Sequence, residues 1–261
     1  MNKIISVDNV TKTFRNTGKK LKLSRKSYAK KTALDNLTFS VNEGEIFGLL
    51  GPNGAGKTTA MRIISTLIKS DSGDVIVAGD NVRKSPHKIR RNIGFLSSDL
   101  KLEEFFTPSY LFDFLSALRE VPEKQAKERK IALFDRIGIN EYANERLAVL
   151  STGMKQKVSL VVSIVHDPRI IIFDEPTNGL DILAARAVTD FLLELKKQGK
   201  TIILSTHIFS LAEKICDRIG FIVDGKMQDV LYNESEKINL EDMFFSFYNQ
   251  PTRDLIHEFH T

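Results

Sequence analysis

Ile46-Phe47-Gly48-Leu49-Leu50-Gly51-Pro52-Asn53-Gly54-Ala55-Gly56-Lys57-Thr58 is the stretch that decides the fold. Its first five residues form a short apolar run of the kind that makes a buried strand, and the run Thr58 to Leu67 carries a helical pattern. The eight residues from Gly51 to Thr58 fit G-x-x-x-x-G-K-[ST] between them. In a strand–loop–helix of this form, the backbone of Gly51, Pro52, Asn53, Gly54, Ala55 and Gly56 forms a cradle for phosphate, with its N–H groups turned inward. Proline, which has no N–H, contributes only shape. The helix adds its positive N-terminal end. Lys57 supplies a point charge for the β and γ oxygens, the Thr58 hydroxyl is a hard oxygen donor for Mg²⁺, and Thr59 is placed for a further phosphate contact. A glycine-rich turn with no ligand would not account for strand, spacing, lysine, threonine and helix together.

Working outward, Ile170-Ile171-Ile172-Phe173 is a second buried strand, and it ends in Asp174-Glu175. At the carboxyl end of a strand Asp174 is placed to hold Mg²⁺. Glu175, next to it and pointing elsewhere, is placed to orient the attacking water. Two adjacent acids also terminate strands for purely structural reasons, so this pair gains meaning from the phosphate loop upstream. His207 follows the strand Thr201 to Ser205, again at the edge where open α/β sheets place their ligands, within reach of a γ-phosphate.

Other β-like runs are Ile4 to Val10, Leu37 to Val41, Asp74 to Ala78, Ile93 to Leu96 and Phe221 to Val223. From Asp181 to Lys197 the residues Ala184, Val188, Phe191, Leu192 and Leu195 lie on one helical stripe, as on a helix covering a sheet. Strand, helix, strand predicts a mostly parallel sheet. The early strands lack intervening helices, and Asp224-Gly225 followed by Lys226 to Val230 predicts a hairpin, so an antiparallel β layer is expected as well. From Thr107 to about Val165 the pattern turns helical, with Pro108 and Pro122 each suited to a first helical turn; this is an inserted helical subdomain. The aromatic tail around Phe244, Phe245, Phe247 and Tyr248 is expected to pack, against the core or a partner subunit.

The composition sets bounds on these readings. With 261 residues, 42% of them hydrophobic, the chain can bury one large core or two joined lobes. Its longest apolar runs fall short of the roughly 18 residues a membrane-crossing helix needs. Met1 to Val7 lacks the parts of a secretory signal, and a cytoplasmic location is expected. The single cysteine, Cys216, sits among Ile215, Ile219 and Phe221 as an ordinary packed thiol. The net charge of +5 is concentrated between Arg15 and Lys31, where eight basic residues and no acid occur, and setting them aside leaves −3. Basicity confined to one insert argues against a broad nucleic-acid-binding face. A solvated loop is the preferred reading of the insert, and contact with anionic lipid the sharper one.

Leu150-Ser151-Thr152-Gly153-Met154-Lys155-Gln156 begins with a serine 23 residues before Asp174 that is able to cap a helix, with further donors for an anion around it. With these residues the chain resembles the nucleotide-binding subunits of ABC transporters over nearly its whole length. This segment is similar to the family signature, and Asn178-Gly179-Leu180-Asp181 is similar to the D-loop. The resemblance implies a P-loop NTPase core of the ABC ATPase type, with residues 1–106 and 166–232 forming the ATP-binding core and β layer. Residues 107–165 would form the helical subdomain, and 233–261 a C-terminal tail.

The same resemblance implies ATP and Mg²⁺ as ligands, with Ser151, Thr152 and Gly153 reaching the ATP held by a second copy in a head-to-tail sandwich dimer. Asp181 would couple the two sites, and separate multi-spanning permease subunits would hold the assembly on the cytoplasmic face of the membrane. Phe14 stands where the family places an aromatic against adenine; a core phenylalanine is the competing reading, and Tyr28 a rival stacking residue. Where the family carries a glutamine for Mg²⁺ this chain has Ser98, and Asp99 is expected to supply the missing oxygen. Thr152 and Met154 replace a common glycine and glutamine, a pattern similar to exporters of the sodium-efflux or ABC-2 type. A soluble ABC ATPase acting on ribosomes or DNA is the alternative, disfavoured because the chain has one cassette and no long coiled coil. A small-molecule kinase sharing the phosphate loop is disfavoured by the signature and D-loop segments.

Overall fold

The structure is a computed structural model that describes residues 2–15, 30–97, 102–233 and 239–248. Two sheets organise it. The first is antiparallel, in the order β2 (Lys30–Asn42), β1 (Lys3–Arg15), β4 (Ser72–Val77), β5 (Asp80–Asn81). The second runs β10 (Lys226–Tyr232), β9 (Arg218–Val223), β3 (Ile46–Leu50), β8 (Thr201–Thr206), β7 (Ile170–Asp174), β6 (Ile93–Leu96). It is parallel from β9 to β6, with β10 turned back on β9 as the expected hairpin.

The central strands are apolar throughout because both of their faces are covered. Ile171 and Phe173 of β7 point into one core while Ile170 and Ile172 point into the other, and all four are inaccessible to solvent. Each such side chain contributes on the order of 1.5–3 kcal/mol of hydrophobic stabilisation. In the core shared with the antiparallel sheet, Ala60, Met61, Ile63 and Ile64 of α1 (Lys57–Ile64) pack with Ile5, Val75 and Leu49. α1 is shorter than the run Thr58 to Leu67 predicts, because Thr66 adopts a left-handed conformation (φ 63°) that ends it.

The second core joins the sheet to the helical lobe and to the covering helix α6 (Ile182–Lys197). The lobe contains α3 (Pro108–Leu118), α4 (Glu123–Ile137) and α5 (Thr152–Ser163), and Phe112 meets Phe134 edge to face at 5.5 Å. Thr107 caps α3 by accepting from Tyr110 N at 3.1 Å, with Pro108 in the first turn as expected. Pro122 instead lies one position before α4, at its cap. In α6 (Ile182–Lys197) all five residues of the predicted stripe are buried. The strand β5 and the helix α2 (Pro86–Asn92) have no counterpart in the sequence reading: one has two residues and the other seven, too few to show a period.

α7 (Phe209–Ile215) follows β8, and α8 (Leu240–Tyr248) lies over it, with Phe244 5.4 Å from Phe209 and Phe247 5.5 Å from Phe221. The tail thus packs partly on its own core, though Phe245 is 45% exposed. Gly48 in β3 has no side chain because a Cβ there would lie 2.7 Å from Cys216 Sγ. Burial pushes that thiol's pKa up, in keeping with an inert packed cysteine. Arg15, Lys30 and Lys31 belong to the β1–β2 ladder, so the basic insert is narrower than the charge run implies; its remainder, Tyr28 included, lies outside the described residues. Among the described residues no helix is long and apolar enough to cross a membrane.

Candidate functional site

Because β3, β7 and β8 are neighbours and parallel, their carboxyl ends deliver Gly51 to Thr58, Asp174-Glu175 and His207 to one edge of the sheet. There they line a cleft of about 380 Å³ together with Phe14, Lys31, Ala33 and Asn178. Pro52, Asn53, Gly54, Gly56, Lys57, Thr58 and Thr59 form one wall. Gly51 and Ala55 belong to the same loop but do not line the cleft; the Gly51 carbonyl accepts from Lys57 Nζ at 2.6 Å. Gly56 must be glycine twice over: its φ is 110°, and a Cβ would lie 2.5 Å from Ala33 O.

Lys57 is 5% exposed, donates also to Pro52 O at 3.2 Å, and stands 3.8 Å from Glu175 Oε1. Burial lowers its pKa, and the carboxylates of Glu175 and Asp174 oppose that shift by favouring the ammonium. Asp174, 1% exposed, is held from both sides. Thr58 donates to its Oδ2 at 2.7 Å, and Ser205 donates to its Oδ1 at 2.5 Å. Glu175 adopts φ 53°, a left-handed conformation that costs a side-chain-bearing residue on the order of 1–3 kcal/mol. Its Oε2 pairs with His207 Nδ1 at 2.9 Å, while the buried Oε1 has no hydrogen-bond partner.

If His207 Nδ1 carries the proton given to Glu175, its neutral ring presents Nε2 as an acceptor. Donation from Nε2 to a phosphate then requires the imidazolium or the other tautomer.

The oxygen donors at hand suit a Mg²⁺ carried by phosphate. Among the described residues no three His, Cys, Asp or Glu side chains gather as a cage, whereas Mg²⁺ is commonly held by one carboxylate, a hydroxyl and the phosphates themselves. Thr58 and Asp174 already share one hydrogen bond at that position, and Glu175 Oε1, 3.8 Å from the Lys57 ammonium, accepts no hydrogen bond and is open to one from a water. Asp99 and Ser98 lie outside the described residues.

Phe14 is 43% exposed in the cleft wall, under Lys12 Nζ at 5.5 Å, and therefore is not a core phenylalanine. Lys31, Ala33, Asn178 and Ser205 are the residues around this site that sequence reasoning left unassigned. Lys31 lies within a charge run, Asn178 within the segment ending in Asp181, and Ser205 has no sequence signal beyond belonging to a strand.

Ser151, Thr152, Gly153 and Asp181 do not join the cleft of their own chain. Ser151 caps α5, accepting from Met154 N at 3.2 Å, and Asp181 caps α6, accepting from Ala184 N at 2.9 Å. The two caps are neighbours: a Cβ on Gly153 would lie 3.9 Å from Asp181 Oδ2. Thr152 borders a separate hollow with Leu102, Glu104 and Lys155. One contact ties this region to the cleft, Gln156 Nε2 donating to Pro176 O at 3.0 Å, immediately after Glu175.

Residues 34–178 match the family model described as ABC transporter. The chain is 32% identical to the uncharacterized ABC transporter ATP-binding protein YhcH of Bacillus subtilis, over 97% of this chain and 77% of that protein. It is 34% identical to the Nod factor export ATP-binding protein I of Ralstonia nicotianae over 77% of this chain and 63% of that one. A solved dimeric ATP-binding cassette, MJ0796 in a post-hydrolysis state with ADP and Pi, superposes with a TM-score of 0.77 at 25% identity, covering 89% of this chain and all of that one.

Proposed function

The chain belongs to the ABC transporter family as an ATP-binding subunit, and from that premise we propose that two copies close head to tail on two MgATP molecules to drive export through separate permease subunits. As such a subunit it is an ATPase that binds ATP, forms dimers and serves membrane partner subunits. The observation that carries the finer reading is the separation within one chain of the cleft from the Ser151 cap. The cleft has a charged floor and an aromatic wall. Across it, on the opposite side of a bound triphosphate, a second copy's Ser151 and Gly153 would supply donors that this chain does not itself bring there.

Apolar surface flanks those donors. Val149, Ile182 and Leu183 are 71%, 86% and 79% exposed next to Ser151 and Asp181, and a partner copy would cover them. In the proposed cycle Lys57 and the loop backbone bind the β and γ oxygens, Thr58 and Asp174 hold Mg²⁺, and Phe14 stacks on adenine. Mg²⁺ would screen the phosphate charge. Glu175 accepts a proton from the attacking water, with Oε1, which accepts no hydrogen bond, as the accepting atom, and His207 fixes the carboxylate through Oε2. Loss of the shared γ-phosphate then separates the copies. Export as the direction rests on the Thr152 and Met154 pattern and on likeness to an export protein, and the cytoplasmic face as the place rests on the permease partnership of the family. Domain limits are proposed as 1–106 with 166–232, 107–165 and 233–261.

The test is the oligomeric state of Glu175→Gln at saturating MgATP, measured by light scattering after size exclusion. A stable dimer that dissociates on nucleotide removal is expected. A protein that stays monomeric would overturn the sandwich.

A further inference from the structure

We infer that Ser205, two residues before His207 in β8, is a positioning residue that fixes both the Asp174 carboxylate and the backbone of Glu175; this rests on the roles proposed above for those two acids. Ser205 is wholly buried and lies opposite Asp174 in the β7–β8 ladder. A hydroxyl has one proton to give and lone pairs to accept with. The proton goes to Asp174 Oδ1 at 2.5 Å, and the oxygen accepts from Glu175 N at 3.0 Å. Ser205 O, at 3.2 Å, accepts from the same N–H.

A continuous chain of hydrogen bonds results. Thr58 donates to one oxygen of Asp174, Ser205 donates to the other, and the Glu175 backbone donates to Ser205. Asp174 therefore cannot turn about its Cβ–Cγ bond without breaking a buried bond, and it faces Thr58. Glu175 leaves β7 in a left-handed conformation, and Ser205 grips its N–H with side chain and main chain together. That backbone turn aims the glutamate carboxylate toward His207 and Lys57 rather than along the strand. An aliphatic residue at 205 would keep the strand and its burial but leave Asp174 Oδ1 unpaired and Glu175 held by the longer carbonyl contact alone.

The experiment compares full-length Ser205→Ala and Ser205→Cys with wild type. Thr189→Ala is the reference, because it removes another buried residue's hydroxyl, one that donates to Ala185 O at 2.7 Å in α6. Mn²⁺ binding is followed by electron paramagnetic resonance in the presence of a non-hydrolysable ATP analogue, alongside kcat and KM for ATP. Ser205→Ala is expected to raise the Mn²⁺ half-saturation about tenfold and to lower kcat by about 10- to 100-fold, with a much smaller change in KM. Ser205→Cys, with a weaker donor, should fall between Ala and wild type, and it carries the test if the alanine variant does not fold.

Wild-type metal binding and kcat in both Ser205 variants, while Asp174→Asn loses metal binding and Glu175→Gln loses kcat, would overturn this inference and leave the roles of the acids standing. An equal shift in Thr189→Ala would overturn it too, by showing a general effect of losing a buried hydroxyl. Wild-type behaviour in Asp174→Asn and Glu175→Gln would instead remove the underlying reading.

Discussion

The cleft at the edge of the parallel sheet and the N-terminus of α5 both present groups suited to phosphate, but they are built differently. In the cleft the groups come from separated stretches of chain, Lys57 and Asp174 among them buried, and they hold one another: Lys57 on Gly51 O, Thr58 on Asp174, His207 on Glu175. At α5 they come from one short run, lie at the surface, and are held by a single cap bond from Met154 N to Ser151. The first arrangement is preorganised by the sheet, and burial strengthens its electrostatics. The second gains comparable strength only when another surface excludes water from it. On the proposed dimer the chain thus carries one finished half-site and one that a second copy finishes.

Substitutions can break this contrast. The largest expected effect is at Glu175, where Gln keeps the shape but removes the proton acceptor. Steady-state phosphate release should fall by at least about 100-fold, while the MgATP-dependent dimer persists. If turnover is lost because closure is lost, the two regions are not separable in this way. Ser151→Asp is next. Aspartate caps a helix as well as serine, so thermal stability should hold within about 0.5 kcal/mol, yet a carboxylate facing a triphosphate should repel it. ATP binding to the monomer should stay near wild type, with dimer formation and turnover falling by about 10- to 100-fold; equal loss of monomer binding would place Ser151 in its own chain's site.

Phe14→Ala should weaken ATP affinity by about tenfold, roughly the 1–3 kcal/mol lost when an aromatic no longer stacks on a base. An unchanged affinity, by equilibrium titration, would leave Phe14 as mere wall.

The smallest effect concerns the joint between the regions. His166, between α5 and β7, pairs through Nε2 with Ile93 O, and its buried Nδ1 has no partner. Burial, with Arg119 nearby, lowers its pKa to about 4 from the ordinary 6.5. Unfolded chains therefore take up the proton first. The stability linked to His166 is complete above pH 6.5 and is lost as pH falls toward 4, by about 1 kcal/mol once solvent at its partly exposed edge is allowed for. Denaturant titrations across that window should show the loss, and His166→Gln, which keeps a donor for Ile93 O, should flatten it.

Much of the cleft was legible because its elements are local. The phosphate loop is contiguous: the positive φ at Gly54 and Gly56 calls for glycine, and Lys57 and Thr58 complete the motif. β3 and β6 match their predicted limits, and α6 carries its predicted stripe, since period and burial are properties of a single segment. Ser205 and Lys31 were not legible, because their roles arise from strand pairing: Ser205 matters by standing opposite Asp174, and Lys31 by pairing with Phe14 at the cleft mouth. The short elements β5 and α2 were missed for want of length, and Pro122 was displaced by one position because a proline serves equally before a helix and in its first turn.

By itself the sequence determined the strand, loop and helix of the phosphate-loop motif and which segments form the parallel sheet, since each depends on a motif or a period carried by consecutive residues. Only the tertiary structure decided that Glu175 leaves its strand left-handed, that His207 reaches it through Nδ1, and that Ser151 and Asp181 stand together away from the cleft. Those facts depend on how residues far apart in the chain are packed side by side, and that neighbourhood is fixed by the strand order of the folded sheet rather than by any local run.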